Sequence, residues 1–222
     1  MAGPTTAALS SRSSASSPLP LPSNPRSHPL APVNGGASVK GTLLIARLKF
    51  VLAQGDADAR RVLERLSPED QATLHAVLLP IGWYPADLLL RLGHAAARAL
   101  SLGNTRALLI EMGRFTASLN LGPRGPHRPF VREGDPHFLL ANTPRLYGAQ
   151  HGSGHRIYER RGPSTAVLRH FDTGEADPDD CLTTVGWLER AVATCGGREV
   201  IVVERQCRGL GAPCCEFLVE WK

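Results

Sequence analysis

His155-Arg156-Ile157-Tyr158-Glu159-Arg160-Arg161, followed by Gly162-Pro163-Ser164 and then Thr165-Ala166-Val167-Leu168-Arg169-His170-Phe171, is where the chain changes character. Both flanks are short and alternating or β-branched, and Gly162-Pro163 divides them, so the stretch predicts a β-hairpin. Upstream the spacing is helical. Leu43, Leu44, Ala46, Leu48, Phe50, Val51 and Leu52 are apolar at helical spacing up to the break at Gly55-Asp56. Ala57 to Leu66 predicts a short second helix, and Ser67 as N-cap with Pro68 at the first helical position opens a third that should end near Pro80. Tyr84-Pro85-Ala86-Asp87 starts an amphipathic run through Leu100, and Leu108, Leu109, Met112, Phe115 and Leu119 repeat the period from Thr105 to Asn120. One more helix fits Asp135 to Gly148, interrupted at Pro144.

Downstream of the hairpin, Asp177 to Cys195 is helical and stops at Gly196-Gly197. Glu199 to Arg205 and Cys215 to Trp221 read as two closing strands joined by the Gly-rich segment from Cys207 to Cys214. Helices, hairpin, helix, hairpin is an α+β order. It predicts a helical amino-terminal half packed on a roughly four-stranded antiparallel sheet, not a doubly wound parallel one.

The chain has 222 residues, of which 42% are hydrophobic. Residues 1–39 are rich in Ser, Pro, Ala and Gly and carry no acidic residue. Such a segment buries too little apolar surface to offset its ordering entropy, so a disordered tail is expected there, and residues 40–222 are expected to form a single domain. Ser and Pro break every candidate signal peptide in the tail, and no later run is long and apolar enough for a bilayer, so the expectation is a cytoplasmic protein without membrane contact. Arg12, Arg26 and Lys40 hold three of the five net positive charges, which leaves two from Gly41 onward. That balance argues against nucleic-acid binding.

Cys181, Cys195, Cys207, Cys214 and Cys215 all lie in the last part of the chain. Inert core packing accounts for any one of them taken alone. Together they suggest more. Cys207 and Cys215 bracket the Gly-rich turn, Cys181 sits where a helix dipole favours a thiolate, and Glu204 offers a carboxylate three residues before Cys207. Three sulfurs and one oxygen would close a tetrahedral site of the kind used by structural zinc.

Cys181-Leu182-Thr183-Thr184-Val185-Gly186-Trp187, with Val203-Glu204-Arg205-Gln206-Cys207-Arg208-Gly209 and Cys215-Glu216-Phe217, resembles the 4-vinyl reductase domain family. Members include ligand-sensing domains of bacterial activators of aromatic catabolism. The resemblance implies a zinc site at Cys181, Glu204, Cys207 and Cys215. Gly41-Thr42-Leu43-Leu44, Gly82-Trp83-Tyr84-Pro85, Gly134-Asp135-Pro136-His137 and Val185-Gly186-Trp187 are similar to a myxobacterial family that shares this carboxy-terminal pattern. Cys214 departs from it, as an adjacent cysteine that either competes for the metal or is a free thiol.

The 4-vinyl reductase fold is similar to the ligand-binding domain of nitric-oxide signalling and Golgi transport proteins, which enclose an apolar cavity between helices and sheet. The resemblance therefore implies a small hydrophobic or aromatic ligand, with Trp83, Tyr84, Phe115, Phe138, Tyr147 and Trp187 as candidate lining; core filling is the competing reading of each. His137, His151, His155 and His170 are further candidates without an assigned role. No phosphate-cradling loop, His-Glu-x-x-His or nucleophile elbow is present, so enzymatic activity is not expected. The expected role is a sensing or regulatory module acting through a protein partner or a homodimer. The alternative is a ligand-free adaptor whose zinc stabilises an interaction surface.

Overall fold

The computed structural model describes residues 1, 3, 37–171 and 176–222. Most of the expected tail lies outside the described residues, but its boundary moves upstream. Ser38 and Val39, placed in the tail by composition, form strand β1 (Ser38–Lys40) with Lys40. This strand pairs antiparallel with β2 (Trp83–Pro85). Val39 is buried, and that burial holds the segment in place.

The helical half follows as α1 (Gly41–Leu52), α2 (Asp56–Leu63), α3 (Pro68–His75), α4 (Ala86–Leu100) and α5 (Thr105–Leu121). Ser67 caps α3 by accepting a 3.1 Å bond from the Asp70 amide. The helix ends at His75, short of Pro80, because the chain turns to β2: the Leu79 amide donates to the Tyr84 hydroxyl at 2.9 Å and the Gly82 amide to the Leu79 carbonyl at 3.0 Å. Leu44, Phe50, Val51, Leu88, Leu92, Leu109 and Met112 are the buried centre of this half.

Helix α6 (Pro136–Gln150) runs through Pro144 instead of breaking there. Proline leaves the Leu140 carbonyl without its helical donor. The Thr143 hydroxyl supplies one, at 2.7 Å.

Strands β3 (His155–Gly162), β4 (Thr165–Phe171), β5 (Ile201–Gln206) and β6 (Cys215–Glu220) form one antiparallel sheet in the order β3-β4-β6-β5. Between β4 and β5 comes α7 (Pro178–Thr194). Alternation puts Ala166, Leu168, Phe217, Val219 and Val202 inward, where they pack with Val185 and Leu188 of α7. On its other side α7 crosses α5 with no side chain between the backbones: a Cβ at Gly186 would strike the Ile110 carbonyl, and one at Gly113 the Thr183 carbonyl. Among the described residues the architecture is thus seven α-helices and a four-stranded antiparallel sheet, an α+β fold.

Candidate metal centre and the cavity beside it

Three elements converge where α7 begins. Asp177 caps that helix through the Asp179 amide at 2.8 Å, and Pro178 occupies its first turn, which places Cys181 over the amino-terminal end. A register shift between Glu204 and Gln206 ends the regular pairing of β5 and leads into a tight turn that starts at Cys207. The turn closes through Gly211, whose φ of 94° only glycine adopts without strain. Gly209 lies against Pro178, so close that a Cβ would stand 2.7 Å from its ring. That contact docks the turn on the start of α7. Cys215 then opens β6.

One donor atom from each of Cys181, Glu204, Cys207 and Cys215 lies within 4.8 Å of the others. Cys181 Sγ is 3.5 Å from Cys215 Sγ and 3.9 Å from Cys207 Sγ. Sulfurs sharing a tetrahedral zinc ion at ~2.3 Å each stand about 3.8 Å apart. Glu204 Oε1 is buried with no hydrogen-bond partner. A buried, unpartnered carboxylate oxygen beside three buried thiols is costly unless a cation completes the group, so this donor set fits a metal ion. Crowding also splits the thiols: the Cys181 proton is held by Cys215 first and its pKa rises, whereas the Cys215 sulfur accepts from Cys181 and from the Arg208 amide and is pulled down to about 6.

Cys214 is buried but outside this group, with Sγ directed to Gln206 Oε1 at 3.8 Å. Cys195 is fully buried in the core between α5, α6 and α7. All five cysteines are unbridged.

Cys181 and Cys215 also face a cavity of about 350 Å³ between the helical half and the sheet. Val39, Pro85, Ala86, Leu89 and Leu90 supply apolar lining; Tyr147, His151, Arg156 and His170 line it as well, with Asp87, Asp177 and Asp180. A smaller space of about 100 Å³, reaching Trp187, adjoins it behind Leu89 and Tyr147. Of the six aromatic residues considered from sequence, Tyr147 and Trp187 are therefore in these walls and four are elsewhere. Tyr84 is buried with its hydroxyl on the Leu79 amide, Trp83 lies under the Lys40 ammonium, Phe115 meets Phe50 edge-on, and Phe138 lies under Arg132.

The histidines separate likewise. His137 is tied to the Tyr158 hydroxyl and the Pro163 carbonyl, and His155 stacks on Phe171. His151 stacks flat on Tyr147 with Nδ1 at the Tyr147 carbonyl, and burial pushes its pKa down to about 4. His170 is 6% exposed, Nε2 lacks a partner, and burial holds the ring neutral. Sequence reasoning did not single out Arg156, yet β3 alternation places it on the same face as Tyr158, toward the core.

No protein-family model and no curated protein matches the sequence. Solved structures do match. An H-NOX protein from S. oneidensis in the Fe(II)NO ligation state superposes with a TM-score of 0.63 at 17% identity, over 82% of this chain and 99% of that one. Unliganded Fe(II) H-NOX protein from K. algicida gives 0.58 at 12% identity, over 82% and 96%. An oxygen-binding H-NOX domain related to soluble guanylate cyclases gives 0.60 at 13%, over 82% and 95%. The chain has the fold of these H-NOX domains.

Haem, which that fold brings into question, does not fit the space found. A volume of about 350 Å³ takes about a dozen water-sized groups at ~30 Å³ each, whereas haem has roughly forty non-hydrogen atoms.

Proposed function

We propose that this chain is a small-molecule sensing module in which a structural zinc ion, held by Cys181, Glu204, Cys207 and Cys215, fixes one wall of the ligand cavity. The observation that carries the reading is the shared wall: Cys181 and Cys215 belong both to the four-donor cluster and to the cavity lining. Zinc in a closed set of four protein donors supplies no chemistry; it ties the start of α7 to the sheet. A ligand that fits one packing of helices on sheet better than another shifts the population between them. The order of three cysteines and a glutamate supports kinship with 4-vinyl reductase domains, including the myxobacterial proteins that share it. Neighbours of the same fold bind diatomic gases on iron; here the cavity suits an organic molecule instead.

The proposed role is binding, not catalysis, with the signal passed to another protein or a second copy. Ile157, Ile201 and Val203, exposed on the outer face of the sheet, support such a contact. A filled core would have favoured the adaptor reading, and the open cavity favours the sensor. Native mass spectrometry of protein purified from its own host tests this. One zinc ion and a retained small molecule per chain are expected; a metal-free, ligand-free chain of full stability would overturn the reading.

A further inference from the structure

The cavity wall contains three carboxylates and one guanidinium, and only the carboxylates are matched. Asp180 takes a 3.0 Å ion pair from Arg47, Asp177 pairs with His94 at 2.7 Å, and Asp87 with Arg91 at 2.7 Å. Arg156 makes no hydrogen bond or ion pair with any described residue, and its Nε is buried without a partner. Its nearest support is the face of the Tyr147 ring, 5.2 Å from Cζ. Burial pushes its pKa down to about 10, so it keeps its proton at neutral pH. Arg156 is half-buried, and a guanidinium whose Nε has lost water without gaining a partner is unfavourable unless something else brings an acceptor.

Its neighbour across the sheet repeats the pattern. Arg156 of β3 stands directly opposite His170 of β4, whose Nε2 is the second unpartnered polar atom in this wall. The same cavity is lined by the apolar side chains of Val39, Leu89 and Leu90. The lining therefore combines a guanidinium and an imidazole without partners with apolar side chains, while its three carboxylates are already paired.

Resting on the sensor reading above, we propose that the ligand is a small monocarboxylate, with its carboxylate on Arg156 and His170 and its apolar body against Val39, Leu89 and Leu90. A planar guanidinium is matched to a carboxylate, and charge-assisted bonds of this kind are the strong ones. The volume sets the size, at about eight to twelve non-hydrogen atoms.

The test titrates the purified full chain, with its metal content measured, against octanoate and hydrocinnamate, each beside its alcohol, octanol and hydrocinnamyl alcohol. Calorimetry or ligand-observed NMR reads the affinities. The acids should bind roughly tenfold to a hundredfold tighter than the alcohols. Arg156→Met should abolish that preference at unchanged metal content, and Arg156→Lys should retain part of it. Equal binding of acids and alcohols by the natural protein would overturn the carboxylate assignment and leave the cavity reading standing. Binding of neither would remove both. A preference that survives Arg156→Met, or a metal lost with it, would show that Arg156 serves something other than the ligand.

Discussion

Cys181 Sγ lies 3.5 Å from Cys215 Sγ, although thirty-four positions separate the two residues. One belongs to the first turn of a helix and the other to the first position of a strand. The contact exists because the turn beginning at Cys207 packs Gly209 onto Pro178. Beyond Cys215 the same strand row continues to His170 and Arg156, each the direct cross-strand partner of the next. The candidate metal centre and the cavity are thus adjacent positions of one β-row, and a ligand on His170 would sit directly beside the strand that carries Cys215.

If the proposed zinc site is right, Cys207→Ser should remove the metal and lower thermal stability, because the ion's binding energy is part of native-state stability. The domain has its own core, so the loss should be about 3 kcal/mol, or ~6–12 °C in melting temperature. Chelator-treated natural protein should melt with the variant. Unchanged melting and metal content would refute the site.

Gly186→Ala should destabilise far more than an ordinary helix substitution. Alanine normally improves a helix over glycine. Here the added methyl collides with the Ile110 carbonyl of α5, backbone that cannot yield without separating two helices. A loss of about 1–3 kcal/mol is expected from overpacking. Urea unfolding would show it as a lower midpoint at unchanged slope, and equal midpoints would mean that the helices are free to part.

Periodicity alone revealed most helices and all four strands of the main sheet, since each spans two or more repeats of its pattern. What it missed was too short or too compensated to leave a period. Strands β1 and β2 have three residues each, too few to show alternation. Pro144 reads as a helix breaker until Thr143 is seen to supply the lost donor to Leu140. That Cys181, Glu204, Cys207 and Cys215 come together was legible because cysteines are rare and clustered here and the order resembles a known family's. The cavity was not, because an aromatic side chain signals burial without saying where: Phe115 went to the helical core against Phe50, whereas unremarked Arg156 went to the cavity.

Thr143→Val tests the repaired helix. The variant keeps the shape but leaves the Leu140 carbonyl buried without a donor, at an expected cost of about 1–3 kcal/mol. Pairing it with Pro144→Ala, which restores an amide donor, should recover part of that loss. Additive effects in the double variant would count against the compensation.

Asp70 predicts a pH dependence. Its carboxylate takes two bonds from Arg91, at 2.7 and 2.8 Å, and these hold its pKa below the ordinary aspartate value despite burial. A lowered native pKa contributes stability that is present above the unfolded value, ~3.9, and is lost as pH falls through the native one. Arg91 is 44% exposed, so solvent screening limits the effect of Asp70→Asn at neutral pH to about 1–2 kcal/mol. Urea midpoints of the two proteins should converge below about pH 4. A gap independent of pH would show that the carboxylate charge is not involved.

Filling the cavity separates a sensor from a scaffold. Leu89 lines both the larger and the smaller space, so Leu89→Phe puts added ring volume where the protein now has a void. Void filling without strain should stabilise the ligand-free chain by about 0.5–2 kcal/mol. The same change should displace any retained small molecule, leaving metal content untouched because Leu89 is not among the donors. A scaffold protein would gain stability and keep its partner contact in a pull-down or complementation assay. In a sensor the gain in stability comes with loss of the ligand response, since a ring that occupies the cavity permanently holds one packing of helix on sheet and leaves the ligand nothing to shift.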